Sequence, residues 1–122
     1  MRLRITAVLI LISACSVLYA IEIKHVIAYP VPFNPKNGVL TIGFDPLYPD
    51  PASYRVGIKI FDINGDLVTD KNVSGFPVRW NGRNTNGKYV KPGMYIIKVV
   101  AESDSAGYNE HGKKNIRILV NY

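Results

Sequence analysis

Few residues in this chain of 122 residues have the types and spacing that chemistry requires. The run Asp62-Ile-Asn-Gly-Asp66 places oxygen-bearing side chains two residues apart, as the beginning of a calcium-binding loop does. That loop would also need a glycine where Leu67 stands and a glutamate where Val73 stands. The run therefore predicts a turn rather than a calcium site.

The residue pattern also indicates neither a zinc site nor a catalytic site. His25 and His111 are the only histidines, and a zinc site would need carboxylates such as Asp104 or Glu110 beside His111, a spacing that matches no zinc signature. No serine stands in a nucleophile-elbow setting, and no glycine-rich phosphate loop opens a helix. We expect a protein without enzymatic activity, metal ion or cofactor.

The densest group of cations lies beside two aromatic residues, Trp80 and Tyr89, and comprises Arg79, Arg83, Lys88 and Lys91. Such a group can bind an anionic polymer, or it can be a solvated loop face. The net charge of the chain is +6, and without Arg2 and Arg4 it has 13 basic and nine acidic residues, hence +4. This mild excess does not indicate a nucleic-acid-binding protein.

Residues 1–20 have the layout of a secretory signal peptide. Arg2 and Arg4 provide a positive start, Ile5 to Ile12 is almost wholly apolar, and Ala20 is a small residue at which cleavage can occur. The apolar run is shorter than the roughly 20 residues that a spanning helix needs. We therefore expect export to the periplasm, the cell surface or the medium.

A second processing site competes with Ala20. The run Ile12-Ser-Ala-Cys15 resembles a bacterial lipobox, in which Cys15 would be lipidated and would anchor the protein to a membrane. The mostly apolar stretch from Ser16 to Ile21 favours cleavage after Ala20, since a lipoprotein tether is usually polar. Either way, a lone cysteine cannot form an intramolecular disulfide.

Residues 21–122 predict one domain of the all-β class. Val56, Ile58 and Ile60 share one face of a strand, because strand side chains alternate, and no apolar run after Ala20 has the helical period. Seven strands separated by Gly, Pro and Asn predict an Ig-like or fibronectin-III-like β-sandwich. The predicted strands are Glu22–Ala28, Val39–Phe44, Tyr54–Asp62, Leu67–Val73, Pro77–Trp80, Gly93–Glu102 and Lys114–Tyr122.

Turn signals predict how the strands are divided between two sheets. Asn64-Gly65 predicts a two-residue type I′ hairpin, in which both residues have positive φ and Phe61 lies opposite Val68. The hairpin keeps the third and fourth strands together, so we predict strands one, two and five facing strands three, four, six and seven. The stretch from Arg79 to Tyr95 is the predicted crossover between sheets, supported by Trp80, Gly82, Asn84, Gly87, Gly93 and Tyr95.

Four motifs along the chain carry a family resemblance: Tyr29-Pro-Val-Pro-Phe-Asn-Pro, Ile58-Lys-Ile-Phe-Asp-Ile-Asn-Gly, Trp80-Asn-Gly-Arg-Asn and Gly87-Lys-Tyr-Val-Lys-Pro-Gly-Met-Tyr. Together they resemble the Ig-like domain of the flagellar hook-capping protein family, the FlgD-like Ig domain. That family usually has Trp-Asp-Gly-x-Asn, and Asn81 replaces the aspartate here. The resemblance implies a non-catalytic module that recurs on exported bacterial proteins.

The FlgD-like family is in turn similar to the C-terminal sorting domains of a bacterial outer-membrane secretion system. Those domains end in a Lys-Lys-x-Ile-x-Ile strand, and here the corresponding run is Lys113-Lys-Asn-Ile-Arg-Ile. This similarity implies a role in secretion sorting.

Two loops are candidate recognition surfaces. In Ig order, the loops Asp45–Ser53 and Ser103–Gly112 emerge at one end of the sandwich, which would bring together Leu47, Tyr48 and Tyr108. The alternative is that Leu47 and Tyr48 cap the core, and a second route to binding is strand addition at a sheet edge.

The leading hypothesis is an exported Ig-like module that assembles with another envelope, surface or appendage protein. The alternatives are a carbohydrate- or polymer-binding accessory domain that uses Trp80, Tyr89 and the nearby cations, and a sorting-type domain. We expect no nucleic-acid partner, and contact with a membrane only through lipidation of Cys15.

Overall fold

A computed structural model describes residues 23–47, 54–103 and 111–122, which form two antiparallel sheets packed face to face. Alternation of apolar and polar residues gives each strand one side that favours the core. The strands are β1 (Val26–Tyr29), β2 (Leu40–Phe44), β3 (Tyr54–Asp62), β4 (Leu67–Val73), β5 (Val78–Trp80), β6 (Gly93–Ser103) and β7 (His111–Val120).

The strand order confirms the predicted β-sandwich and its division into sheets. One sheet has the order β1-β2-β5 and the other the order β4-β3-β6-β7. Strands β3 and β4 have the predicted bounds. Strand β7 begins at His111 rather than at the predicted Lys114, because β6 continues to Ser103 and its Glu102 pairs with His111.

The turn between β3 and β4 differs from the predicted type I′ hairpin. Gly65 has φ +86°, whereas no residue other than glycine in the described ranges has positive φ. The Gly65 N–H donates to the Asp62 carbonyl at 3.0 Å, so Ile63, Asn64 and Gly65 form a three-residue loop. The Asp62 carboxylate favours this turn, because it accepts the backbone N–H groups of Asn64 and Asp66, both at 2.9 Å.

The longer loop changes the register of the hairpin at one position. A bulge between Ile60 and Phe61 places Phe61 opposite Leu67, so the predicted pairing of Phe61 with Val68 is wrong. Ile60 still pairs with Thr69, in the register that the sequence predicts for the rest of the hairpin. The bulge thus absorbs the extra turn residue without turning the apolar side of β3 away from the core.

Both inner faces contribute to one hydrophobic core, which contains 17 buried residues within the described ranges. Among these, Trp80, Phe33, Leu40 and Ile42 have the largest fully buried side chains. Full burial of one large apolar side chain contributes about 1.5–3 kcal/mol to the stability of the fold.

Two lysines join the edges of the two sheets. Lys71 Nζ donates to the Arg79 carbonyl at 2.6 Å, and Lys114 Nζ donates to the carbonyls of Val26, at 2.7 Å, and of Lys24.

Candidate functional site: the crossover and its tyrosine surface

Trp80 ends β5 and is the centre of an aromatic group inside the sandwich. Its ring centroid lies 5.8 Å from that of Phe33 and 6.1 Å from that of Tyr95. The indole Nε1–H donates to the Arg83 carbonyl at 2.9 Å, so the one polar atom of the ring has a partner. Only 1% of Trp80 is exposed, which excludes the ring from the polymer-binding role considered above.

Gly82 allows the crossover to pass close to the segment before β2. Its φ is +77°, in the left-handed region. A Cβ atom at this position would lie 2.5 Å from Cβ and Cγ of Pro35 and 3.3 Å from the Phe33 ring. Both the backbone angle and the close contact with Pro35 therefore require glycine here.

Asn84 organises the tip of the crossover through its side chain. Its Oδ1 accepts the backbone N–H groups of Asn86 and Lys88, both at 3.0 Å. The Gly87 N–H donates to the Asn84 carbonyl at 2.9 Å, and Gly87 has φ +79°. Asparagine suits this position because its carboxamide can replace a backbone acceptor in a turn.

Thr85 fastens the tip of the crossover to an edge of the four-stranded sheet. Its backbone N–H and its hydroxyl both donate to the Val68 carbonyl, at 3.1 and 3.0 Å. The loop therefore covers part of the free edge of β4, the edge that does not pair with β3.

Two tyrosines with a cation at each end form a row on the surface beside the crossover. The Arg83 guanidinium lies over the Tyr89 ring, 4.2 Å from its centroid, and also donates to the Gly87 carbonyl at 2.8 Å. Tyr89 meets Tyr122 edge to face at 6.5 Å, and Lys36 Nζ lies 5.5 Å from the Tyr122 centroid. Both tyrosines are about two-fifths exposed, so this surface is open to a ligand.

Tyr95 joins the end of the crossover to the core, because its ring packs against Trp80 and its hydroxyl reaches the loop. Its hydroxyl donates to the Lys91 carbonyl at 2.6 Å, just before Gly93 begins β6 with φ +148°. Burial, followed by the charges of Asp62 and Tyr122, raises the pKa of Tyr95 above its ordinary value of 10.0.

Tyr122 packs against the crossover next to Tyr89. Burial and the neighbouring Tyr89 raise its pKa, and its hydroxyl donates to the Val90 carbonyl at 2.5 Å. The hydroxyl groups of Tyr95 and Tyr122 therefore both act as neutral donors to loop carbonyls.

The predicted recognition loops are described only in part. Leu47 is 85% exposed, and its N–H donates to the Asp45 side chain at 3.0 Å. This exposure contradicts the alternative that Leu47 caps the core. Tyr48 and Tyr108, and also Cys15, lie outside the described residues.

Metal-ligating side chains do not converge in the described ranges. No group of three or more His, Cys, Asp or Glu residues there could hold a metal ion. The same part of the chain contains no helix with the length and hydropathy that a membrane-spanning helix requires.

Phe33 and Tyr122 are site residues that sequence reasoning missed. Phe33 follows two prolines, yet its N–H donates to the Leu119 carbonyl at 2.8 Å and its carbonyl accepts the Asn121 N–H at 3.0 Å. It thereby pairs with the end of β7 and inserts its ring beside Trp80. The available signal was one large apolar residue within an otherwise extended, proline-rich segment.

A family model described as the secretion system C-terminal sorting domain matches residues 28–108, from β1 through β6. The chain belongs to this family. Membership in a sorting-domain family implies an exported protein, as the predicted signal peptide does. The Lys113-Lys-Asn-Ile-Arg-Ile run lies beyond the matched range.

Two solved structures are similar to this chain. PorZ, described as an essential bacterial surface component of the type IX secretion system of Porphyromonas gingivalis, is 28% identical with a TM-score of 0.56, over 86% of this chain and 12% of PorZ. Dimeric latent PorU from the same organism is 21% identical with a TM-score of 0.50, over 79% of this chain and 9% of PorU, which shows a shared fold alone. The sorting domain thus spans a small part of each. No curated protein matches it.

Proposed function

We propose that this chain is a non-catalytic sorting and assembly module of a type IX secretion system. The observation that carries the proposal is the sorting-domain match over residues 28–108. The likeness to PorZ supports the assignment to this type of secretion system. The activity of PorZ as a whole does not transfer, because only 12% of its length corresponds to this chain.

The use of polar groups in the crossover and in the β3–β4 turn supports a binding role rather than catalysis. The side chains of Asp62, Asn84 and Thr85 hydrogen-bond to backbone groups of turns or of a neighbouring strand. Trp80 and Tyr95 likewise donate to backbone carbonyls. These groups stabilise loops, and a recognition module needs shape and contact more than a reactive group.

The narrower kinship with the hook-capping Ig domain is part of the same proposal. One of its motifs, Trp80-Asn-Gly-Arg-Asn, contains Trp80 and Gly82, the residues that connect the crossover to the core. In our proposal the two families share this crossover as a structural solution and differ in what their surfaces bind. A hook-cap role would require binding to flagellar hook protein, which a pull-down with purified hook filaments tests directly.

Anchoring is a separate part of the proposal. We favour cleavage after Ala20 and release of the mature chain, with lipidation of Cys15 as the alternative. Mass spectrometry of the mature N-terminus distinguishes the two, because a lipidated chain begins at Cys15 and carries acyl groups.

Export of a reporter tests the sorting function. Residues 21–122 would be fused to the C-terminus of a fluorescent protein that carries residues 1–20 at its own N-terminus. The fusion would be expressed in a bacterium with a type IX secretion system and in a strain that lacks it. We expect the reporter outside the outer membrane only in the first strain. Equal distribution of the reporter in both strains would refute the proposal.

A second candidate function is polymer binding at the surface formed by Lys36, Arg83, Tyr89 and Tyr122. Exposed tyrosines flanked by cations favour an anionic polymer, because rings provide stacking area and cations neutralise charge. Affinity electrophoresis in gels that contain an acidic cell-wall glycan would show retardation of the native chain but not of a Tyr89→Ala variant, and a neutral glycan is the control. Equal mobility of the two would eliminate this candidate.

A further inference from the structure

The outer face of the four-stranded sheet contains a groove at Gly57. Strand register places Gly57 between Asn72 of β4 and Val100 of β6. Because glycine has no side chain, the face is hollow there, and a groove of about 500 Å³ extends across β4, β3 and β6. A Cβ atom at Gly57 would lie 3.1 Å from Asn72 Oδ1, so even alanine would narrow the groove.

Two lysines face each other at one end of this groove, whereas Arg55 is opposite Glu102 at the other end. Lys59 and Lys98 are directly opposite each other on β3 and β6, and both are exposed. Like charges in this position destabilise a sheet. Asp70, across from Lys59 on β4, offsets part of the repulsion, but Lys113 adds another exposed cation beside Val100. A bound anion would relieve the remaining repulsion.

The same face is mainly apolar at its other end. Leu67, Met94 and Leu119 are 53%, 41% and 37% exposed. Leu67 is opposite Phe61, and Leu119 is opposite Met94. Phe61 and Ile96 are partly buried and pair with each other, and exposed Arg117 is opposite Ile96 on β7. Contiguous exposed apolar side chains next to charges are typical of a protein-binding surface.

We propose that this face, with its groove at Gly57, docks a protein segment that carries carboxylates next to apolar side chains. The carboxylates lie between Lys59 and Lys98, and the apolar residues cover Phe61, Ile96 and Met94. This inference rests on the proposed function, since the segment would belong to a component of the secretion machinery.

Charge and apolar area together favour this occupant over others. A second copy of the chain would bring its own Lys59 and Lys98 against the same cations in a two-fold interface. An acidic polysaccharide or free phosphate would neutralise the lysines but leave the apolar end in water. A segment with both carboxylates and apolar side chains neutralises the lysines at one end of the face and covers the apolar residues at the other.

A peptide titration followed by NMR tests the surface directly. The probe is a synthetic peptide in which a run of glutamates precedes Leu-Phe-Leu, added to the isotope-labelled mature chain. We expect the amide signals of Gly57, Ile96 and Val100 to shift. Control peptides replace the glutamates with lysines or the apolar residues with serines, and each should bind at least about tenfold more weakly, because each loses one half of the contact.

Lys98→Glu is the informative variant, because it removes binding without threatening the fold. It converts the Lys59–Lys98 repulsion into a cross-strand ion pair, so thermal stability should be retained or increase. Affinity for the peptide should fall about tenfold or more. The matched control, Lys88→Glu, makes the same charge change on an exposed crossover residue and should leave affinity within about twofold of the native value.

Four results would overturn the assignment. These are no shifts at the groove, equal loss of affinity in the Lys98 and Lys88 variants, equal binding of the serine-containing peptide, and the same shifts with inorganic phosphate alone. The export assay separates this inference from the proposed function. Normal export of a Lys98→Glu fusion would remove the docking role and leave sorting intact, whereas failure of the native fusion would remove sorting without affecting the peptide result.

Discussion

The indole N–H of Trp80 and the carbonyl of Arg83 are joined by a 2.9 Å hydrogen bond that links the core to the crossover surface. The Trp80 ring packs between Phe33 and Tyr95 inside the sandwich. Arg83 itself extends outward over Tyr89. The position of the surface row of cations and tyrosines therefore depends on a buried ring.

Replacement of Trp80 should destabilise the whole domain. Trp80→Ala removes the largest fully buried side chain among the described residues and should lower the free energy of unfolding by about 3–5 kcal/mol. Trp80→Phe keeps much of the apolar volume but loses the bond to Arg83, so a smaller loss is expected. Urea denaturation followed by circular dichroism measures both. Tyr89→Ala, at an exposed ring, is the control, and a loss there as large as in Trp80→Ala would contradict this account.

Gly82 and Gly87 provide a matched pair of substitutions. Both have left-handed backbone angles, but a Cβ atom at Gly87 has open space whereas one at Gly82 meets Pro35 at 2.5 Å. Gly87→Ala should cost about 1–2 kcal/mol from the backbone angle alone. Gly82→Ala should cost about 2 kcal/mol more, because overpacking adds to the angle. Similar denaturation midpoints for the two variants would show that the contact with Pro35 is unimportant.

Asn84 should contribute to stability through its acceptor oxygen. Asn84→Ala removes the acceptor of two backbone N–H groups and should lower the free energy of unfolding by about 1–3 kcal/mol. Asn84→Asp retains an oxygen at the same position and should stay within about 1 kcal/mol of the native chain. Chemical denaturation of the three proteins checks both expectations. Equal losses in the alanine and aspartate variants would mean that the amide nitrogen, not the oxygen, is important.

Stability should decline at alkaline pH because the pKa of Tyr95 is raised in the folded protein. The unfolded chain loses this proton near its ordinary value of 10.0. The folded protein then binds more protons than the unfolded chain, so the free energy of unfolding decreases as pH rises above about 10. Below that pH both states are protonated, and the group contributes no pH dependence.

Tyr95→Phe isolates this contribution. The variant should be less stable at neutral pH by about 1 kcal/mol, since it loses the bond to the Lys91 carbonyl. Its stability should then fall less steeply above about pH 10 than that of the native chain. Urea midpoints measured across the alkaline range provide the comparison. Parallel curves for the two proteins would mean that Tyr95 does not produce the decline.

Local patterns were sufficient to predict much of this protein. Alternation of apolar residues predicted the bounds of β3 and β4, because side-chain direction in a strand depends only on position along it. The hairpin and the crossover then predicted which strands share a sheet.

Several contacts, one of them local and the others between distant segments, required the folded structure. Whether Asp62 would accept the N–H groups of its own turn, and so favour a three-residue loop, is not visible in the Asn-Gly signal. The insertion of Phe33 beside Trp80 and the opposition of Lys59 to Lys98 arise from packing and strand register. Such contacts depend on the simultaneous placement of segments far apart in the chain, whereas a local pattern records only the preference of each segment for one face or one turn.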